Sequence, residues 1–372
     1  MEHIYLDNNA TTLIDSRVKA VLLEVLEMGP LNASSVHFYG QMAKTRLIEA
    51  RRHIAQMLDV HPQEIIFTSG ATEALNGILL GFRAKTILTS TIEHSAVHKT
   101  CQYLETLGVD VIYLKPTSEG NIDPKEVEKA LEKGVDLAVF GAANSETGVL
   151  NDIESIAKLC QEHSTFCFVD GAQLMGKEKV IIYPGCDAIC FSAHKFHGPC
   201  GVGFCYLNRK AKLKPFLIGG GQEYARRSGT QSLPLICALE KAVDIAQSEI
   251  EKNKKQMQNL RDQLEDSLLS NPCIQRNGSK LRLCNTTNLF FDHVDGEGLL
   301  FNLDMEGVCA SLGSACSSGA LEPSRVLLEM GYNQARALSS LRFSLSRFTT
   351  EEEIKKSVGV IQSHISKISS VS

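Results

Sequence analysis

The feature that most constrains this fold is a series of short apolar runs, each bounded by turn residues and separated from the next by a segment with helical spacing. This alternation is typical of a mostly parallel β-sheet covered by helices. The segments 122–134 and 153–163 predict two of those helices, with Asp123-Pro124 as a helix start. Seven runs are predicted to be strands: 64–69, 85–90, 109–114, 136–142, 166–172, 187–193 and 202–207.

The periodicity changes after residue 234, where one long amphipathic helix is predicted. A strand, LRFSLS, and a closing helix follow; the helix begins at Thr350, and Glu353 completes a capping box. We therefore expect an α/β fold in two domains. Residues 15–250 would form a large domain around a mostly parallel seven-stranded sheet, and residues 1–14 and 251–372 a smaller α+β domain.

Composition excludes several classes of protein. Hydrophobic residues make up 43% of the 372 residues and charged residues 22%, an ordinary globular balance. The net charge is -5 and the sequence has no block of basic residues, so it shows no positively charged segment that would bind nucleic acid. No apolar run reaches the roughly 18 residues of a membrane span, and the N-terminal segment has no features of a targeting signal. We expect a cytoplasmic protein with no direct nucleic-acid or membrane partner.

The chain has twelve cysteines but no CxxC pair, which fits a reducing compartment. Four of them lie on or beside predicted strands, among apolar residues. We expect these four to be small buried side chains rather than metal ligands, and predict no metal site. They are Cys186, Cys190, Cys200 and Cys205.

Polar residues follow several of the predicted strands, at the sheet edge where ligands of open α/β sheets collect. Gly70, Ala71 and Thr72 follow the first strand and begin a helix, so their N–H groups and hydroxyl could bind a phosphate. Asp170 and Lys195 end two neighbouring strands. Taken alone, the pair could be a simple ion pair, and Lys195 could be a lysine that reaches solvent from a strand end.

His94 and Gln173 belong to the same set, although a single histidine is more often a hydrogen-bonded loop residue. A phosphate cradle, a flat ring for stacking, an acid for a pyridinium N–H and an amine for covalent attachment are together what pyridoxal phosphate requires. The combination favours a pyridoxal-phosphate enzyme over either structural alternative.

Nearly the whole chain resembles the NifS/IscS-type cysteine desulfurases of the class-V aminotransferase family. The resemblance implies an aspartate aminotransferase-like fold of type I, pyridoxal 5'-phosphate as cofactor, L-cysteine as substrate and a homodimer. The segments that carry it, in the family's order and spacing, are IYLDNNATT, EIIFTSGATEALN, EHSAVHKT, NSETGVLNDI, VDGAQLMGK, FSAHKFHGPCGVG, GGGQE, RRSGTQS, GSACSSGALEPSRVL and LRFSLSRFTTEEEI.

The resemblance also implies a role for each matching residue. Lys195 would attach the cofactor covalently and move protons, Asp170 would pair with its pyridine nitrogen, and Gln173 would contact its ring hydroxyl. His94 would stack on the ring and take part in catalysis. The residues implied to bind the phosphate are Ala71, Thr72, Ser192, His194 and Thr230 of the partner subunit.

Two further residues concern the substrate. Arg342 would bind the substrate carboxylate bidentately, a task suited to a planar guanidinium, with a surface or interdomain salt bridge as the alternative. Cys316 would accept the sulfur as a persulfide, and could transiently ligate an iron-sulfur cluster. Its small neighbours suit an accessible loop better than a buried structural cysteine. The length of this loop resembles that of the desulfurases which deliver sulfur directly to partner proteins.

The chain departs from the family at three places. Ser145, between Asn144 and Glu146, stands where a second asparagine is usual, so a hydrogen bond from this cofactor-contacting pair is expected to be shorter-reaching or lost. Tyr224 replaces a common arginine. The chain also lacks the longer C-terminal tail of scaffold-binding desulfurases, which weakens the expectation of an iron-sulfur scaffold as sulfur acceptor.

The predicted function is conversion of L-cysteine to L-alanine, with sulfur passing through Cys316 to an acceptor protein for iron-sulfur assembly or thiolation. A selenocysteine lyase would use nearly the same residues. Another class-V pyridoxal-phosphate enzyme, such as an aminotransferase, would not need Cys316. A non-enzymatic thiol or metal adaptor would account for the cysteines. It would not explain the polar residues at the strand ends, among them Asp170 and Lys195.

Overall fold

A computed structural model of the chain describes residues 3–312 and 322–369, with the side chains of 367–369 excepted. The strands, in chain order, are β1 (Ile4–Tyr5), β2 (Ile65–Thr68), β3 (Thr86–Ser90), β4 (Asp110–Leu114), β5 (Leu137–Gly141), β6 (Phe166–Asp170), β7 (Ala188–Ser192), β8 (Gly203–Leu207), β9 (Ile274–Arg276), β10 (Thr286–Phe291), β11 (Val308–Cys309) and β12 (Ser340–Ser344).

The helices alternate with the strands through the first half of the chain. They are α1 (Ser16–Glu27), α2 (Phe38–Met57), α3 (Ala71–Phe82), α4 (Ser95–Thr106), α5 (Pro124–Leu131), α6 (Ile153–Glu162), α7 (Leu233–Ser248), α8 (Ile250–Leu269), α9 (Gly296–Met305), α10 (Arg325–Glu329), α11 (Gln334–Leu338) and α12 (Glu351–Ser369). Short 3-10 turns cover Pro62–Glu64, Ala193–Lys195 and Glu223–Ala225.

Within the described residues, the large sheet has seven strands in the order β2-β8-β7-β6-β5-β3-β4. Only β8 runs against its neighbours β2 and β7; the other pairs are parallel. All seven predicted strands are therefore confirmed, and so is the mostly parallel α/β class. The prediction succeeded because a strand that is buried on both faces consists almost entirely of apolar residues.

Side chains alternate between the two faces of this sheet, as the pleat of a strand requires. Val139 and Phe168 pack into a hydrophobic cluster on one face. Phe140 and Val169, each one residue further along, pack into the cluster on the other face. Both clusters are buried by helices, so the sheet is the central layer of a three-layer unit.

A third hydrophobic cluster combines the N-terminal strand with the second half of the chain. Ile4 and Leu6 pack there with Leu264 on α8, Phe343 on β12 and Ile361 on α12. The three-stranded sheet β12-β10-β9 and the pair β1-β11 border it. The domain division at residues 14/15 and 250/251 stays a prediction.

The prediction of one long helix after residue 234 was wrong, because the helix breaks at Glu249. The backbone N–H of Glu249 closes α7 on Ile245, and α8 begins at Ile250. α7 packs on α1 and α2, whereas α8 packs on α12 and the small sheet. One straight helix could not reach both surfaces, and the Glu249 carboxylate is held by Arg17 at the bend.

Two smaller predictions have opposite outcomes. The helix starts are confirmed: Asp123 caps α5 through Lys125, and Thr350 and Glu353 exchange the two hydrogen bonds of a capping box. Of the four cysteines expected to be buried, Cys200 is exposed because it lies in a turn before β8 and not on a strand.

None of the helices within residues 3–312 and 322–369 combines the length and the hydrophobicity that a membrane-spanning helix requires.

Candidate active site

The carboxyl edge of the large sheet places Asp170 and Lys195 on neighbouring strand ends. Asp170 is the last residue of β6 and pairs in register with Cys190 on β7. β7 runs directly into the 3-10 turn that ends at Lys195. Parallel neighbours end at the same edge, so both side chains arise at the switch from strand to loop.

The Lys195 amine is held by backbone carbonyls. Its Nζ donates to the oxygens of Asn9 at 2.6 Å and Ala10 at 2.9 Å. Among the described residues it forms no ion pair with Asp170, so the simple ion-pair alternative does not apply in this arrangement. The N-terminal segment thus completes the surroundings of a lysine that lies 186 residues further along the chain.

Burial and, to a smaller extent, the charge of Arg342 lower the pKa of the Lys195 amine to about 8, against the opposite effect of Asp170. An amine with such a pKa is partly unprotonated near neutral pH. Since only the unprotonated form is a nucleophile, Lys195 is suited to attack a carbonyl carbon.

The turn from β2 into α3 forms an anion-binding end of the site. The Ala71 N–H donates to Ser192 Oγ at 2.8 Å, which joins this turn to the end of β7. Thr72 is exposed in the first turn of α3. A Cβ on Gly203 would lie 2.7 Å from the Cα of Gly70, so glycine is what allows β8 to approach the turn.

The two predicted histidines lie in different surroundings. His94 is the N-cap of α4: its Nδ1 accepts from Ala96 N–H, so the proton of the neutral ring lies on Nε2, and the ring is exposed. His194 contacts Thr11 through Nδ1. Burial, together with the charges of Lys195 and Lys177, lowers the pKa of His194 to about 4.

Gln173 is buried between two partners. Its Nε2 donates to Asn9 O at 3.0 Å, and its Oε1 accepts from Lys177 Nζ at 2.5 Å. Because the carbonyl of Asn9 also accepts from Lys195, one backbone oxygen connects the amide of Gln173 with the reactive amine.

Asn144 and Ser145 shape their own turn. The Asn144 side chain accepts from the N–H groups of Glu146 and Thr147 and donates to Ile92 O, so it serves the local backbone. Ser145 contributes its carbonyl, which accepts from Asn9 Nδ2 at 3.1 Å and from Arg342.

Arg342 lies on β12 and is buried. Its guanidinium donates to Asp7 Oδ1 at 2.6 Å and to the carbonyl of Ser145 at 3.0 Å, while its buried Nε has no protein partner in the part of the chain that the structure describes. Arg342 therefore forms a buried salt bridge with Asp7 on the segment after β1, and both residues belong to the predicted smaller domain, so this is neither a surface nor an interdomain bridge. The buried Nε–H is therefore available to another acceptor.

The structure does not bring every predicted residue together. Thr230 is exposed in the loop before α7 of the single chain. Cys316, with its neighbours 313–321, lies outside the described residues.

Sequence reasoning missed several contributors to this site: Asp7, the carbonyls of Asn9 and Ala10, and Lys177. Glu93 was noticed beside His94 in the sequence but was given no role; it is buried and accepts from Ser90 Oγ and Gly141 N–H, with burial raising its pKa to about 7. The signals of the missed residues were the polar run after β1 and the four-residue spacing from Gln173 to Lys177, about one helical turn.

Residues 4–356 match the family described as "Aminotransferase class-V". The chain belongs to this family. It is 40% identical over 380 residues to a protein of Trichormus variabilis named "Cysteine desulfurase 2", covering 100% of this chain and 95% of that one. It is 36% identical to a protein of Dictyoglomus turgidum named "Cysteine desulfurase IscS", covering 99% and 96% of the two chains.

Two solved structures have the same fold. One titled "NIFS-LIKE PROTEIN" matches with a TM-score of 0.92 at 33% identity, over 98% of this chain and 99% of that one. One titled "SspA in complex with cysteine" matches with a TM-score of 0.82 at 31% identity, over 93% and 99% of the two chains. The predicted family and the fold of type I are confirmed.

Class-V aminotransferases use pyridoxal 5'-phosphate, and this chain is a pyridoxal-phosphate-dependent enzyme. The site fits that cofactor on its own geometry. A helix N-terminus with the Thr72 hydroxyl beside it suits a phosphate, and the Lys195 amine is partly unprotonated near neutral pH. The buried carboxylate of Asp170 accepts only the N–H of Ala172 at 3.0 Å and a weak thiol contact within the described residues, which leaves capacity for a pyridinium N–H.

Proposed function

We propose that the protein is a cysteine desulfurase that converts L-cysteine to L-alanine and passes the sulfur on as a persulfide of Cys316. The observation that carries the proposal is the Lys195 amine, with a pKa of about 8, at the strand end beside Asp170. Full-length similarity to proteins named as cysteine desulfurases supports the choice of substrate.

Cofactor binding is divided among four parts of the chain. Lys195 would bind the cofactor covalently, Asp170 would hold the pyridine nitrogen as N–H, Gln173 would donate to the ring hydroxyl, and the neutral ring of His94 would stack on the face. The proposed phosphate ligands are Ala71, Thr72, Ser192, His194 and Thr230 of the partner subunit. When bound, pyridoxal phosphate supplies an electron sink for bonds to the substrate Cα.

The substrate would be oriented by Arg342, whose free Nε direction supports binding of a carboxylate. Asn144 and Ser145 would line this end of the site, with Ser145 holding the guanidinium through its carbonyl. Lys195 then moves the proton of the substrate Cα, because its amine is poised to gain and lose a proton near neutral pH.

In the proposed sulfur transfer, atoms and electrons balance between the substrate and the protein. The substrate C–S bond breaks, the Sγ of Cys316 bonds to the departing sulfur, and the Cβ gains the proton that completes L-alanine. The substrate carbon is reduced, and the two sulfurs of the persulfide share the oxidation. A thiolate is the reactive form of Cys316 in this step.

The proposed assembly is a cytoplasmic homodimer that delivers sulfur to an acceptor protein, such as one for iron-sulfur assembly or thiolation. Exposure of Thr230 in one chain supports a role toward a partner subunit. The apolar side chains of Ile218 and Tyr224 in the same region are 94% and 50% exposed, which supports a protein interface there.

The test compares the wild type with the Cys316→Ser variant, each incubated with L-cysteine and a thiol reductant. Equal amounts of L-alanine and sulfide from the wild type only would support the proposal. Normal turnover by Cys316→Ser would show that another group accepts the sulfur. Turnover with L-selenocysteine but not L-cysteine would identify a selenocysteine lyase instead.

A further inference from the structure

Lys177 is a buried cation at the site for which the functions above leave no task. Only 4% of its surface is exposed. Its Nζ donates to Gln173 Oε1 at 2.5 Å, across a spacing of four residues. A buried ammonium group is costly unless it is well hydrogen-bonded. Lys177 also borders a small cavity that Lys195 lines from another side.

The chemistry of Lys177 determines which way the amide of Gln173 points. An ammonium group can only donate hydrogen bonds, and a backbone carbonyl can only accept them. Gln173 lies between one of each, with Oε1 on Lys177 and Nε2 on Asn9 O at 3.0 Å. Both neighbours select the same orientation, and one N–H of Nε2 remains for a third partner.

We propose that Lys177 is a positioning residue that acts through Gln173, so that an N–H group rather than a carbonyl oxygen faces the ring hydroxyl of the cofactor. The inference rests on the proposed cofactor contacts of Gln173 and Lys195. Without Lys177 the amide is constrained only by Asn9. Its oxygen would then be free to face the cofactor oxygen, which it repels when that oxygen is ionised.

Lys177 also adds a charge to the surroundings of Lys195. Burial and the charge of Lys195 lower the pKa of Lys177 to about 7. Loss of the N–H donor makes protonation of the linkage between Lys195 and the cofactor more favourable. Loss of the Lys177 charge acts in the same direction at pH values below about 7, where that amine is protonated. The ionisable groups that interact with the two amines are Arg342, Asp170, Asp7, Cys284, Cys200, His194 and His197.

The first experiment is a pH titration of the visible absorption of cofactor-loaded enzyme, wild type against Lys177→Met. We expect the pH midpoint of the variant to rise by about half a unit or more, the scale of a lost neighbouring charge and hydrogen bond. Lys177→Gln keeps a donor without the charge and should give an intermediate midpoint. The exposed Lys179 provides the matched control, and Lys179→Met should titrate as the wild type does.

The second experiment repeats the Lys177→Met change in a Gln173→Leu background. A positioning role predicts a smaller shift there than in the wild type, because part of the effect passes through the amide. An equal shift in both backgrounds, or none in either, would overturn the proposal. If Lys177→Met does not fold, as judged by circular dichroism, Lys177→Gln is used in the same cycle.

These measurements require cofactor binding and no turnover. A wild type that shows the visible band and the predicted shifts, yet makes no alanine from L-cysteine, would refute the desulfurase proposal and support the role of Lys177. A wild type that binds no pyridoxal phosphate would refute both.

Discussion

The guanidinium of Arg342 lies 2.6 Å from the carboxylate of Asp7, so the side chain expected to bind the substrate carboxylate already has an anionic partner. Replacing Asp7 by asparagine leaves a buried cation without its counter-charge, which destabilises the protein. L-Alanine should restore part of that charge balance. We therefore expect L-alanine to raise the melting temperature of Asp7→Asn more than that of the wild type.

Thermal unfolding with and without L-alanine measures this difference, and Asp266→Asn, at an exposed aspartate, is the control. An equal rise in the wild type and in Asp7→Asn would mean that Asp7 and the ligand do not share Arg342.

Arg342→Lys should raise the KM for L-cysteine by about tenfold or more, because an ammonium group cannot reproduce the bidentate fork of a guanidinium. Steady-state kinetics give KM and kcat separately. A control is Arg209→Lys, since Arg209 is exposed and far along the chain from this strand. An unchanged KM would mean that Arg342 pairs with Asp7 but does not bind the substrate carboxylate.

Attachment of pyridoxal phosphate to the apoprotein should depend on pH through Lys195. The pKa of its amine is lowered to about 8, so below pH 8 the unprotonated fraction falls about tenfold per pH unit, and above it the rate should level off. Stopped-flow absorbance measures the rate. Arg342→Met removes a charge that lowers this pKa, and its midpoint should move upward; an unmoved midpoint would contradict the assigned cause.

Arg51 and Glu223 form a buried ion pair that joins α2 to the loop before α7. Their side chains are 7% and 1% exposed, and Glu223 also accepts from the N–H of Phe67 at 2.9 Å. Arg51→Met leaves that carboxylate uncompensated, which we expect to cost about 3–5 kcal/mol of unfolding free energy. Urea denaturation measures it. Arg52→Met, at an exposed position of α2, should cost much less.

The large sheet was predictable because its information is local. Each strand is an apolar run, and Asp170 and Lys195 follow their runs directly, so their proximity follows from the parallel topology. The break at Glu249 was not predictable in this way. It depends on Arg17, 232 residues away in sequence, and the apolar spacing of 234–268 continues across the break.

The surroundings of Lys195 were only partly predictable for the same reason. The motif identified the lysine, but the carbonyls of Asn9 and Ala10 carry no sequence signal, because every residue has a carbonyl. Cys200 shows the converse error. Its neighbours Pro199 and Gly201 are turn residues, and its backbone forms a turn, so grouping it with the strand cysteines overlooked a local signal.

The segment that holds Lys195 is itself fixed from the far end of the chain. Asn9 receives a hydrogen bond at its carbonyl from Lys195, and its own N–H donates to Ser344 Oγ at 3.0 Å on β12. A ribosome must therefore have released residue 344 before the carbonyls that hold the lysine are in position. The cofactor can therefore bind in this arrangement only late in biosynthesis, after the N-terminal segment has packed against β12.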